Sequence, residues 1–99
     1  GDGFWIHVGS AGCEGTVGNI TGCKFPNRIE VDLPDYVVDE HAVSVDLSAL
    51  VAGTNLDDDT PTDCSSGPAE AACTAPFAAL GIAFETGEQT GAQRVFSTQ

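Results

Sequence analysis

Trp5 and His7 are the two side chains whose types and spacing best suit metal chemistry. Trp5 is the only tryptophan of the chain, and His7 is one of two histidines. Imidazole is a good ligand for copper, zinc and iron, whereas intact indole is a poor one because its nitrogen lone pair belongs to the aromatic ring. The residue types alone leave two interpretations open, ordinary packing in a core or on a surface and a metal site centred on the imidazole.

The second histidine, His41, lies in an acidic segment and is a weaker candidate for a further metal ligand. Its alternative role is that of an exposed histidine with no ligand. The two histidines are also the only candidates for a general base, and no G-x-S-x-G nucleophile elbow is present. We therefore expect a binding protein and not an enzyme.

The four cysteines form two local pairs in the sequence, Cys13 with Cys23 and Cys64 with Cys73. Four cysteines allow three pairings, but neither local pair has the spacing of a structural zinc site. We expect disulfides, each of which would stabilise so short a chain by about 2–3 kcal/mol. Disulfides persist outside the reducing cytosol, so the predicted location is periplasmic or extracellular.

The chain has 99 residues and a formal net charge of −12. This charge disfavours nucleic acids and anionic membranes as partners, and no apolar run is long enough for a membrane span.

The three aspartates at 57–59 suggest either a calcium loop or a solvated loop, and the EF-hand pattern is absent. The length predicts a single domain over residues 1–99, or part of a longer one.

Short alternating apolar segments predict the elements that would position these residues. Residues 4–8 read as a strand with Trp5 and His7 on one face, followed by a glycine-rich loop over 9–22. Further strands are predicted at 29–33, 43–47, 82–85 and 92–97. Two short helices are predicted, one capped by Asp46 and stopped by Gly53, the other capped by Thr74 and stopped by Gly81. The predicted fold class is mainly β. We expect a small, disulfide-stapled domain that is an incomplete β-sandwich, because it has few strands.

A series of motifs runs along nearly the whole chain. In order they are W-x-H-x-G-x-x-G-C from Trp5 to Cys13, then Cys23, P-N-R at Pro26, Asn27 and Arg28, D-L-x-x-L from Asp46, C-x-S-G-P from Cys64, then Cys73, F-x-x-L-G from Phe77 and Q-x-x-F from Gln93. The ordered set resembles the methanobactin-associated copper-binding proteins (MbnP-like proteins, also called the metallo-mystery-pair four-Cys-motif family). The resemblance is to the C-terminal half of these proteins only, and Ser65 stands where the family has methionine.

The resemblance implies a periplasmic or secreted protein that binds copper as Cu(I). It also implies a di-haem, peroxidase-like maturation partner that oxidises Trp5 to kynurenine, with His7 as a metal ligand. Opening the indole ring frees an aromatic amine and a ketone, so a residue that is a poor ligand gains a nitrogen donor suited to Cu(I). The competing hypothesis is a structural subunit of an extracellular surface layer or filament. Self-association through exposed sheet edges would then place Trp5 and His7 in an interface.

Overall fold

The computed structural model describes residues 5–56, 64–67 and 70–99. Two antiparallel two-stranded sheets lie in this part of the chain. In order the elements are β1 (Ala11–Thr16), β2 (Asn19–Phe25), β3 (Val43–Val45), α1 (Leu47–Val51), a 3₁₀ turn (Ala71–Cys73), α2 (Thr74–Ala79) and β4 (Phe96–Thr98). The predicted class is confirmed: mainly strands with two short helices and two disulfides, consistent with an incomplete sandwich.

The β1–β2 hairpin corrects the prediction of a loop over residues 9–22. Cys13 and Cys23 are directly opposite each other in this antiparallel pair and form a disulfide. Gly18, in the tight turn, has a φ of 81°, and Gly15 has a φ of 115° next to a register shift. Glycine adopts such angles without steric cost. The hairpin is mostly exposed, so it lacks the apolar alternation that would have indicated its strands.

The predicted strand over residues 29–33 is wrong. The Gln89 side chain makes the hydrogen bonds that a neighbouring strand would make. Its amide oxygen accepts from the Glu30 backbone N–H at 2.9 Å, and its amide NH₂ donates to the Glu30 carbonyl at 2.8 Å. Both main-chain groups of Glu30 are thereby satisfied without a ladder. The alternating residues of this segment are only partly covered, and Val31 is 38% exposed.

The strand predicted over 43–47 exists as β3, shortened to Val43–Val45 and paired with β4. Its faces are opposite to what the alternation predicts, because Val43 and Val45 are half exposed while Ser44 is half-buried. The segment predicted as a strand over 92–97 forms β4 only at its end. The segment predicted over 82–85 contributes a single bridge, between Ile82 and Gln89.

Both helices form near their predicted positions. Asp46 caps α1, its carboxylate accepting from the Ala49 N–H at 3.0 Å. Thr74 is the first residue of α2 and not its cap, since the preceding 3₁₀ turn leads directly into the helix. Gly81, with a φ of 75°, follows the end of α2.

The core is built around α2, with Cys64 before it and Ile82 and Val95 after it. Phe77 is 2% exposed and packs edge-on against Phe84, with ring centroids 6.4 Å apart. The Cys64–Cys73 disulfide lies inside this core, with both cysteines fully buried. This core contains Cys64, Cys73, Phe77, Ala79, Leu80, Ile82 and Val95, and Pro76 of α2 is also fully buried.

The aspartates at 57–59, for which the sequence suggested a calcium or solvated loop, lie outside the described residues. Across residues 5–56, 64–67 and 70–99, none of the helices has the length and apolar character needed to cross a membrane.

Candidate metal centre

The segment that carries Trp5 and His7 is held by main-chain hydrogen bonds to Cys64. The Cys64 N–H donates to the Trp5 carbonyl at 2.8 Å, and the His7 N–H donates to the Cys64 carbonyl at 2.7 Å. These bonds make an isolated parallel bridge between Ile6 and Cys64. The predicted strand over 4–8 is thus reduced to one bridge, and Phe4 lies outside the described residues.

Side chains alternate along this segment. Trp5 is 72% exposed and His7 is also exposed, whereas Ile6 and Val8 are half-buried. Val8 packs against the hydrophobic core. The indole and the imidazole are therefore both accessible from solvent, two positions apart on an extended backbone. Alternate residues of an extended chain lie about 7 Å apart, a distance over which two long side chains can converge on one ion.

The His7 imidazole lies over the backbone of Gly9. A methyl group added at Gly9 would lie 3.1 Å from Nε2 of the imidazole and 3.6 Å from its Cδ2. The first of these distances is tighter than ordinary van der Waals contact. A side chain at position 9 would require the ring to shift by a few tenths of an ångström.

Two buried polar residues hold the backbone around Gly9. The Ser66 hydroxyl accepts from the Gly9 N–H at 2.8 Å and donates to the His7 carbonyl. The Asn27 side-chain amide donates to the Gly9 carbonyl at 2.9 Å. Ser66 is 4% exposed and Asn27 5%, so these bonds are shielded from competing water. Both residues occur in the motif series, but neither was selected from the sequence as a functional residue.

His41 lies in a different local environment. Its Nδ1 accepts from the Val37 N–H at 2.9 Å, and its ring lies 6.3 Å from that of Tyr36 between centroids. This nitrogen is thus engaged in closing the turn over residues 37–41. Within the part of the chain that the structure describes, no cluster of three or more His, Cys, Asp or Glu ligand atoms contains His7 or His41.

The cluster of this kind that the described residues do contain is Cys64, Glu70 and Cys73. Its two sulfurs are joined as a disulfide and offer no thiolate to a metal. One Glu70 oxygen, Oε2, lies 3.5 Å from the Cys73 sulfur and accepts from the N–H groups of Ser65 and Gly67. The carboxylate thus holds the loop around Ser66.

All four cysteines are paired as the local spacing suggested, Cys13 with Cys23 and Cys64 with Cys73. None is left as a free thiol. The first disulfide staples the exposed hairpin, and the second fixes the position of Cys64, which holds the Trp5–His7 segment.

The fold is similar to a solved structure, MbnP from Methylosinus trichosporium, with a TM-score of 0.70 and 25% sequence identity. The similarity covers 95% of this chain and 38% of the MbnP chain, so this chain spans well under half the length of that relative. No family model matches the sequence, and no curated protein matches it. The resemblance drawn from the motif series is confirmed by this structural match.

Proposed function

We propose that this chain is an extracytoplasmic copper-binding protein in which His7 and Trp5, the latter as tryptophan or oxidised to kynurenine, hold Cu(I). His41 is a candidate additional ligand. The observation that carries the proposal is the joint exposure of the indole and the imidazole on one anchored extended segment. The similarity to MbnP, which covers 95% of this chain, supports it.

The donor set suits a soft monovalent ion. A neutral imidazole is a good copper ligand, and Cu(I) accepts low coordination numbers with soft or nitrogen donors. Intact indole contributes little, but its kynurenine form offers an aromatic amine. In that oxidation, cleavage of the pyrrole C2–C3 bond inserts two oxygen atoms, and hydrolysis then releases formate. A di-haem, peroxidase-like partner using peroxide would supply the oxidising equivalents.

The location and the absence of catalysis are part of the same proposal. Disulfide bonding of all four cysteines favours the periplasm or the cell exterior. The excess of acidic residues, 15 against three basic ones, attracts cations without defining a site. We assign the chain no reaction of its own, with copper as its cargo.

Anaerobic titration of Cu(I) against a competing chromogenic chelator tests the ligands. We expect His7→Ala to lower the affinity by at least about tenfold, which corresponds to about 1.4 kcal/mol. His41→Ala lowers the affinity only if the second histidine is a ligand. Glu40→Ala, at the exposed neighbouring position, is the matched control. Equal affinities for wild type and His7→Ala would remove His7 from the site.

Intact-mass measurement of protein from its native source tests the modification. Conversion of Trp5 to kynurenine replaces one carbon by one oxygen, and fragmentation assigns the change to Trp5. The unmodified mass in copper-loaded native protein would restrict the proposal to His7 and unmodified tryptophan.

One surface feature favours a second candidate function, assembly with other copies as a surface layer or filament subunit. The solvent side of β3 exposes Val43 and Val45, and Leu47 beyond it is 66% exposed. Light scattering at low and high concentration tests this candidate, with the double change Val43→Thr and Val45→Thr expected to reduce association. Ile20→Thr, on the exposed hairpin, is the control. A chain that stays monomeric at high concentration would exclude assembly.

A further inference from the structure

We propose that Ser66, held in place by Glu70, is a positioning residue for the His7 imidazole. The predicted loss of copper affinity rests on the function proposed above, whereas the predicted change in the position of the His7 ring does not. Neither residue needs to touch the metal for this role. Residues that orient a ligand commonly change metal affinity by about 10–100-fold when they are lost.

The Ser66 hydroxyl holds the main chain on both sides of Val8. It accepts from the Gly9 N–H at 2.8 Å and donates to the His7 carbonyl. One hydroxyl thus uses its single proton and one lone pair on two backbone groups of the same segment. Because Ser66 is 4% exposed, water cannot easily replace either bond.

Glu70 holds Ser66 in a conformation that serine rarely adopts. Ser66 has a φ of 68°, in the left-handed region, where a residue with a side chain is disfavoured by roughly 1–2 kcal/mol. Glu70 Oε2 accepts from the N–H groups of the residues on either side, Ser65 at 2.7 Å and Gly67 at 3.2 Å. The Glu70 side chain also covers Gly67, where an added methyl would lie 2.8 Å from its carboxyl carbon.

These contacts form a continuous path from Glu70 to the imidazole. Glu70 fixes the Ser66 backbone, the Ser66 hydroxyl fixes Gly9, and the His7 ring lies against Gly9. Val8, between the two bonded groups, packs on the core. The orientation of an exposed imidazole is thereby set by a buried hydroxyl that is 59 residues away in the sequence. Without that hydroxyl, the His7–Gly9 main chain loses its link to Ser66.

A merely structural role for Ser66 makes a different prediction from a positioning role. Ser66→Gly removes the hydroxyl and relieves the left-handed strain, whereas Ser66→Ala removes the hydroxyl and keeps the strain. Ser66→Gly should therefore be the more stable of the two variants. If Ser66 only stabilises the fold, copper affinity follows stability. If its hydroxyl positions the ring, both variants lose affinity to the same extent.

The experiment measures three quantities on the wild type, Ser66→Ala, Ser66→Gly, Glu70→Ala and Glu70→Gln. They are the proton NOE between the His7 ring and the Gly9 Hα atoms in metal-free protein, Cu(I) affinity by chelator competition, and stability in urea. Ser65→Ala is the matched control, because only the backbone of that exposed neighbour takes part.

We expect both Ser66 variants to weaken the NOE and to lower Cu(I) affinity by about tenfold. Glu70→Ala should do the same, and Glu70→Gln, which keeps an accepting oxygen, should restore both. An unchanged NOE and affinity in Ser66→Gly overturns the proposal, and so does an affinity that follows stability between the two Ser66 variants. Glu70→Gln behaving as Glu70→Ala overturns the part assigned to Glu70. A wild type that binds no Cu(I) refutes the proposed function, while the NOE still decides the positioning of the ring.

Discussion

Replacing each disulfide separately by a pair of alanines distinguishes loop closure from burial. The two loops are nearly equal, with sequence separations of 10 for Cys13–Cys23 and 9 for Cys64–Cys73. The chain-entropy relation therefore gives almost the same loss for both, about 2.7 kcal/mol. Any difference between the two variants must come from where the sulfurs lie.

Burial differs sharply between the two pairs. Cys64 and Cys73 are fully buried in the core, whereas Cys13 is exposed and Cys23 half-buried. Replacing the two buried cysteines by alanine removes two buried sulfur atoms, which costs about 2–3 kcal/mol in lost transfer free energy and in the cavity left behind. We thus expect a loss of about 5 kcal/mol for the core pair and about 2.7 kcal/mol for the hairpin pair.

Urea denaturation followed by far-ultraviolet circular dichroism measures both losses. Trp5 fluorescence is a poor probe because the indole is 72% exposed in the folded chain. A core-pair variant that is unfolded without urea has lost at least the whole stability of the wild type. The same variants link stability to the site, because the main chain of Cys64 bonds to both Trp5 and His7.

Equal losses for the two variants, or a larger loss for the hairpin pair, would refute this reasoning. Either result would mean that the Cys64–Cys73 disulfide does not lie in the core that stabilises the chain. A core-pair variant that stays folded and binds Cu(I) as tightly as the wild type would show that the anchoring of residues 5–7 does not require this disulfide.

Three further predictions concern single residues. Gly15→Ala should cost at least about 2 kcal/mol in urea denaturation, because φ is 115° and the methyl would lie 2.3 Å from a backbone oxygen of the opposite strand. Gly22→Ala, which meets nothing within 4 Å, should cost less than about 0.5 kcal/mol; equal costs would contradict the hairpin geometry. Gly9→Ala should shift the imidazole by a few tenths of an ångström and weaken Cu(I) binding with little change in stability, as measured by chelator competition; unchanged binding would show that a shift of this size does not affect the site. Gln89→Ala should destabilise by about 1 kcal/mol and speed amide exchange at Glu30, which loses its acceptor; an unchanged exchange rate would argue against that bond.

Much of the local structure was predictable because its causes lie within a few residues. Asp46 caps α1 through a side chain that reaches three residues ahead, and Gly81 supplies the left-handed residue that ends α2. The disulfides join cysteines nine and ten residues apart. Closing such short loops requires little chain entropy, so local pairing was the natural expectation.

The strands were predicted less well because strand pairing depends on distant partners. The segment over 29–33 alternates like a strand, yet its backbone bonds to the side chain of Gln89, 59 residues away. The β1–β2 hairpin was missed because its glycines indicate a loop and its surfaces are mostly exposed. Alternation also misassigned the faces of β3, where Ser44 and not the valines lies on the more buried side.

The amino-acid sequence by itself determined the candidate ligands Trp5 and His7, the cysteine pairs and the motif series, because these depend on residue type and short spacing. Only the tertiary structure decided that both rings are exposed and that Ser66 and Glu70 hold the backbone beneath them. The contact between Ser66 and Gly9 spans 57 residues. This contact depends on how the core packs around Cys64 and Cys73. The pattern of neighbouring residues in the sequence does not predict contacts between residues so far apart.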